Sequence, residues 1–247
     1  MKVLLLTLLA TTLATAASAQ AGRPAADPGR ALYREANAPA AARQLRAAIG
    51  QQPNGFLNKG AYEIGYLRTL DGRRVLLPGL RYHVGQRLVQ VQDSMQADST
   101  HYWPLAAVRG FDLGAEDEAP LSAGQGGAVP AVRRYRARLV QEGKLGARRE
   151  AVEVLTSIDS GPLLLGWLPT VAEPAGAGLA QVLVAGPGLG TTEPLRPLEL
   201  TQAAVLRLCG TRAEEIRSFA AIRHLRYDQP GEIAKMFDHY NRVVVAK

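Results

Sequence analysis

From Ala61 the polar and apolar positions alternate with a period of two, the pattern of a half-buried strand. Tyr62, Ile64 and Tyr66 take one side, with Glu63 and Gly65 on the other. Asp71-Gly72 then offers a tight hairpin turn before Arg73–Leu77. Leu80, Tyr82 and Val84 alternate with Arg81 and His83, and Gly85-Gln86 turns the chain back into 87–92, where Val89 and Val91 share a face. This predicts a meander of about four strands with one buried and one wet face. Residues 101–113 add a short strand, a turn at Pro104 and a strand ending at Phe111 and Leu113.

The alternation stops at 114–130, where Glu116-Asp117-Glu118 is followed by Gly124, Gly126, Gly127 and Pro130. With almost nothing to bury, this reads as an acidic, glycine-rich linker. Strands resume at 132–140, 151–158, 163–168 and 181–185, with Asp159–Pro162 as a hairpin turn. After Leu200 the period becomes helical. Thr201 caps a short helix carrying Val205, Leu208 and Cys209, and Thr211 with Glu214 forms a capping box for a second helix. Ile233, Met236, Phe237, Tyr240 and Val244 give the last helix one apolar face.

Two segments precede the meander. Residues 1–19 hold a positive start at Lys2, an uncharged run from Val3 to Ala16, and Ala17-Ser18-Ala19. That is the layout of a cleaved secretory signal, and the run is shorter than the roughly 20 apolar residues a membrane span needs. Residues 20–58 read as a weakly structured arm, punctuated by Pro24, Pro28, Pro39 and Pro53, with one short helix over 39–49. The expected organisation is therefore signal (1–19), arm (20–58), β-meander (59–113), linker (114–130), second β region (131–200) and C-terminal helices (201–247). The expected fold class is α+β: a β-rich antiparallel sheet or partly open barrel followed by two or three C-terminal helices. The expected location is periplasmic or secreted, with no integral membrane segment after cleavage.

Composition changes this picture in two places. Cys209 is the only cysteine, so an exported chain would have to hold together by burial rather than disulfides. The formal net charge is +7, or +6 once Lys2 is removed, and the cations are nearly all arginine. These charges are spread along the chain rather than gathered in one basic run, so nucleic acid is not an expected partner.

Candidate chemistry is sparse. The four histidines, His83, His101, His224 and His239, show no zinc-ligand spacing. His83 and His239 read as solvent-facing. His101, beside Tyr102-Trp103 and near Asp98 and Asp112 in the sequence, is the residue around which an unrecognised hydrolytic site would be built. No Gly-x-Ser-x-Gly elbow is present, Ser160 sits in ordinary turn composition, and Cys209 falls on the inner side of its helix. Gly186–Gly190 follows a strand, but Pro194 and Pro197 deny it the helix a phosphate loop requires. Glu116–Glu118 lacks the alternating ligands of a calcium loop. No cofactor and no metal are implied.

One charged feature has geometry. On a strand, Arg134, Arg136 and Arg138 point to the same side and, as like charges in a row, either face water or meet an anion. They are the candidate anion-binding residues, for an anionic polymer or lipid, with Arg148-Arg149 close by.

The segments Ala151–Leu155, Gly161–Trp167, Leu195-Arg196-Pro197-Leu198 before Thr201, and Glu214 to Tyr240-Asn241 resemble small exported proteins of unassigned activity from Bacteroidetes-type bacteria. The resemblance spans about 60–241 and implies an envelope or secreted location, with no catalytic residue carried over. The favoured reading is a non-enzymatic envelope or secreted protein that binds a partner, possible partners being an envelope protein or an anionic polymer.

Overall fold

The computed structural model describes residues 27–93, 99–114, 132–141, 143, 146–159, 161–172, 178–188 and 190–245. Residues 1–19, expected as a signal, and nearly all of the expected 114–130 linker, with Glu116–Glu118, lie outside the described residues. No described helix is long and apolar enough to cross a membrane.

The segment expected as an arm carries two helices, α1 (Pro28–Ala36) and α2 (Pro39–Gly50). The Asp27 carboxylate accepts the Gly29 N–H at 3.0 Å and Pro28 occupies the first turn, the ordinary start signal of a helix. The arm is docked rather than loose, because Ala36, Ile49 and Phe56 pack with Leu88 and Tyr102 of the sheet.

The alternating segments form β1 (Glu63–Thr69), β2 (Arg74–His83), β3 (Leu88–Gln92), β4 (Thr100–Pro104), β5 (Val108–Leu113), β6 (Arg133–Gln141), β7 (Ala147–Val154), β8 (Leu163–Val171), β9 (Leu179–Pro187) and the two-residue β10 (Arg196–Pro197). The architecture is the expected β-rich α+β class. One antiparallel sheet runs in the order β10-β9-β8-β7-β6-β5-β1-β2-β3-β4, and the last helices lie at the C-terminus. The Asp71-Gly72 hairpin is present, with Gly72 at φ 89°.

Opposite faces of the sheet serve different cores. Leu67, Leu80, Tyr82, Val89, Val91 and Phe111 fill the first, together with Tyr135 and Ala151 from β6 and β7. On the opposite face of those two strands, Val140, Val152 and Val154 fill another with Leu164, Val184 and Leu195. Leu195 closes this second half: its N–H donates to Leu139 O and its carbonyl accepts from Gln141 N–H, both at 2.8 Å, beside β6. Residues 195–197 thus bridge β9 and β6, and β6–β9 curl into a small barrel.

Helices α3 (Gln202–Leu208), α4 (Ala213–Ile222) and α5 (Pro230–Val245) cover the outer face of β8 and β9. Ile233, Met236 and Phe237 of α5 are fully buried there. At about 1.5–3 kcal/mol for each such side chain, their burial is the main force holding the helical layer down. Register is set by Asn241, whose amide donates to Leu163 O and accepts from Leu163 N–H, both at 2.8 Å.

The parity expected for the first strand is inverted. Leu67 and Thr69 face the core, while Tyr66 lies on the outer side with the Arg74 guanidinium 3.6 Å from its ring centre. Tyrosine and isoleucine tolerate either face, and the pairing of Leu67 with Phe111 on β5 decides between them.

Candidate functional site

One concavity lies between α1 and the β1–β4 half of the sheet. Helix α1 rests on β4 and on the 3-10 turn Leu105–Ala107, and Gly29 allows the contact, since a Cβ there would come within 2.6 Å of Ala107 O. Asn37, just past α1, donates to Tyr102 O at 2.8 Å and accepts from Tyr102 N–H at 2.9 Å. This amide pairs with edge strand β4 as another strand would, fixing the helix at the rim of the cleft.

From this position Arg30, Tyr33 and Arg34, at i, i+3 and i+4, line one wall. The cleft encloses about 480 Å³, with Leu67, Val75, Leu77, Val91 and Trp103 as its apolar floor. Tyr33 packs on Trp103 with ring centres 4.3 Å apart. Asp27, Arg73, Asp93 and His101 complete the edge.

His101 is the centre of a hydrogen-bonded chain. Its Nε2 lies 2.9 Å from the Asp93 carboxylate and its Nδ1 lies 3.2 Å from the Tyr33 hydroxyl. An ionised carboxylate only accepts, so Nε2 carries the hydrogen, and in the neutral ring Nδ1 accepts from Tyr33 O–H. Burial, followed by the Asp93 charge, pushes the Tyr33 phenol above its ordinary value of 10.0. Tyr33 is therefore a donor held protonated, not an activated nucleophile.

No protein-family model, no curated protein and no solved structure matches this chain.

Of the two carboxylates that the sequence places near His101, the described residues include Asp112, which is not its partner. Asp112 cannot serve His101, because the two lie on opposite faces of the sheet. His101 pairs with Val91 and shares the face of the first core, whereas Asp112 sits between the core residues Phe111 and Leu113 and points the other way. Asp98 lies outside the described residues. Asp93 lies just beyond the end of β3 and Tyr33 on a helix within the segment expected as an arm, so strand alternation marks neither. The Asp27-Pro28 start signal was the available clue to α1.

Arg134, Arg136 and Arg138 share one side of β6 as expected, but that side is the inner face of the curled second half. The Arg134 guanidinium donates to Asp159 Oδ1 at 2.7 Å and to Ser157 O at 2.9 Å. Arg136 donates to Asp112 Oδ1 at 2.6 Å and to Asp159 Oδ2 at 2.5 Å. Arg138 donates to Gly188 O at 2.6 Å and Pro187 O at 2.8 Å, and burial lowers its pKa. Arg136 and Arg138 are only 2% and 4% exposed. Internal carboxylates and carbonyls occupy the positions expected of an external anion.

The other candidates resolve as structural groups. His83 is fully buried rather than solvent-facing: its Nδ1 accepts Gln86 N–H at 3.1 Å, and Nε2 donates to Gln52 O at 2.9 Å. His239 is half-buried, stacked on Phe219 with ring centres 3.9 Å apart, and His224 is exposed. Cys209 is buried, and burial pushes its thiol up to about 12. Ser160 and Leu189 lie outside the described residues. At Gly188 the chain touches Gly161 so closely that a Cβ would lie 1.5 Å from Gly161 O, which accounts for glycine there without a phosphate. Among the described residues no three His, Cys, Asp or Glu side chains converge.

Proposed function

We propose that the chain is an exported, non-enzymatic binding protein, and that the cleft between α1 and the β1–β4 half holds its ligand. The observation that carries this reading is the closed hydrogen-bond chain Tyr33–His101–Asp93 at the edge of an apolar floor. Both ring nitrogens of His101 are spent on it, and Tyr33 is held protonated. Such a group orients a ligand; it does not attack one. The lining charges are three guanidiniums against two carboxylates, so donors and acceptors are both on offer with little net field. A small polyhydroxylated ring with one apolar face matches this combination, its face on the Trp103 floor and its hydroxyls on the rim.

The test compares 4-nitrophenyl glucoside, 4-nitrophenyl phosphate and 4-nitrophenyl acetate, each followed by Trp fluorescence and by nitrophenolate release. The glucoside should quench fluorescence saturably. The signal should be lost in Trp103→Phe and weakened about tenfold in Tyr33→Phe, the loss expected of one buried hydrogen bond. Nitrophenolate release that disappears in His101→Ala would instead establish the hydrolytic reading. Absence of saturable quenching would remove the cleft from consideration.

A further inference from the structure

A second concavity lies where the sheet forks. β7 pairs with β6 from Ala147 to Glu153, but with β8 only at Glu153 and Val154. The two strands then diverge, leaving a space of about 480 Å³ at the mouth of the β6–β9 barrel, within the roughly 300–1,000 Å³ of small-molecule sites. Val140, Leu168, Val171 and Val182 form apolar walls, and Val84 of the β2–β3 turn closes the far side. Barrel mouths are a recurrent place for small ligands, because the strands hold the walls while the open end admits the molecule.

One end of this apolar space is charged. The Glu150 Oε1 atom accepts from Arg87 Nε at 2.8 Å and from Arg148 Nε at 2.6 Å. The Glu150 side chain is 9% exposed, while Arg87 and Arg148 are 34% and 50% exposed. The charged side chains lining the cavity are thus two guanidiniums sharing one carboxylate oxygen. The Tyr82 phenol feels all three charges but stays neutral, since burial raises its pKa far above the ordinary value. Arg87 also holds φ at 50°, a conformation glycine adopts more readily, and from it the guanidinium reaches Glu150.

We propose that this fork is a ligand site separate from the α1 cleft, and that it takes an amphipathic monoanion, an apolar chain in the barrel mouth ending in a carboxylate at Arg87 and Arg148. The planar guanidinium fork suits a carboxylate, and the side chains of Val140, Leu168, Val171 and Val182 suit an alkyl chain. The reading does not depend on the cleft.

Isothermal titration calorimetry with octanoate, 1-octanol and octyltrimethylammonium tests it. Octanoate should bind saturably at one site, octanol about tenfold more weakly or worse, and octyltrimethylammonium not at all. Arg148→Gln, a change at a half-exposed side chain, should weaken octanoate about tenfold and abolish its preference over octanol. Val182→Trp, at a position already 37% exposed, should block octanoate by filling the mouth while leaving the thermal unfolding midpoint near that of the parent. Arg34→Ala in the α1 cleft should leave octanoate binding unchanged. Equal affinity for octanol, no saturable octanoate binding, or insensitivity to both Arg148→Gln and Val182→Trp would each overturn the proposal. Loss of octanoate in Arg34→Ala would do the same, by placing the ligand in the other cleft.

Discussion

Removing the Arg136 guanidinium separates a structural role for the arginine row from a binding role. Its Nη1 lies 2.6 Å from Asp112 Oδ1 and its Nε 2.5 Å from Asp159 Oδ2, so Arg136→Ala strips a partner from two carboxylates at once. Asp112 is 1% exposed and keeps Arg68, at 2.8 Å, and the more distant Arg74, at 3.6 Å. Breaking a buried pair from one side costs roughly 3–5 kcal/mol. Because Arg68 stays and Asp159 is partly solvated, the lower end applies, about 3 kcal/mol. Urea unfolding with linear extrapolation is the assay, and the midpoint should fall by about 1 M or more with an unchanged slope. Arg134→Ala, at a guanidinium 28% exposed, should cost less, about 1–2 kcal/mol. Adding Asp112→Asn to the Arg136→Ala background should cost far less than it does alone, since it removes the charge already left unpaired. Heparin retention should not change beyond the loss of one cation. Parent-like stability in Arg136→Ala, with retention clearly reduced, would refute the argument and restore the row as an anion site.

Three further outcomes follow from the same interactions. Asn241→Ala should cost about 2–4 kcal/mol by thermal unfolding, since it orphans both backbone groups of Leu163, and Asn241→Asp should not rescue it because a carboxylate cannot donate to Leu163 O. His83 is folded in its neutral form, and burial, its largest perturbation, aided by the Arg81 charge, lowers its pKa from 6.5. The unfolded chain then takes up a proton before the folded one does, so stability is complete above about pH 6.5 and falls as the pH drops from there toward the folded value; His83→Gln should flatten that part of the stability curve. Cys209, pushed up to about 12 inside the helical layer, should react with a thiol-disulfide reagent only in denaturant, and labelling of the native chain at a free-thiol rate would contradict its placement.

How much of this was legible follows the range of the interaction. Period-two alternation found the strands from Leu80 to Val91 and the face of β6 that carries its arginines, because alternation is a property of the backbone. The apolar stripe of α5 named Ile233, Met236 and Phe237 for the same reason. It could not say which face of β1 is inward, and it could not distinguish a solvated face from a buried polar one. His83 lies on a face that reads as wet and is covered by Gln52 and Phe56 from a segment of thin apolar content.

The site divides along the same line. His101 stood out by residue type, but its partners Asp93 and Tyr33 are 8 and 68 positions away, and only the docking of α1 on edge strand β4 brings the three together. The sequence by itself determined the class: an antiparallel β body, an apolar C-terminal helical face and a single thiol with no disulfide to form. Tertiary structure alone decided that the arginine row points inward. The return of Leu195 to β6 curls the sheet, and no pattern along one strand reports the direction in which a sheet curls.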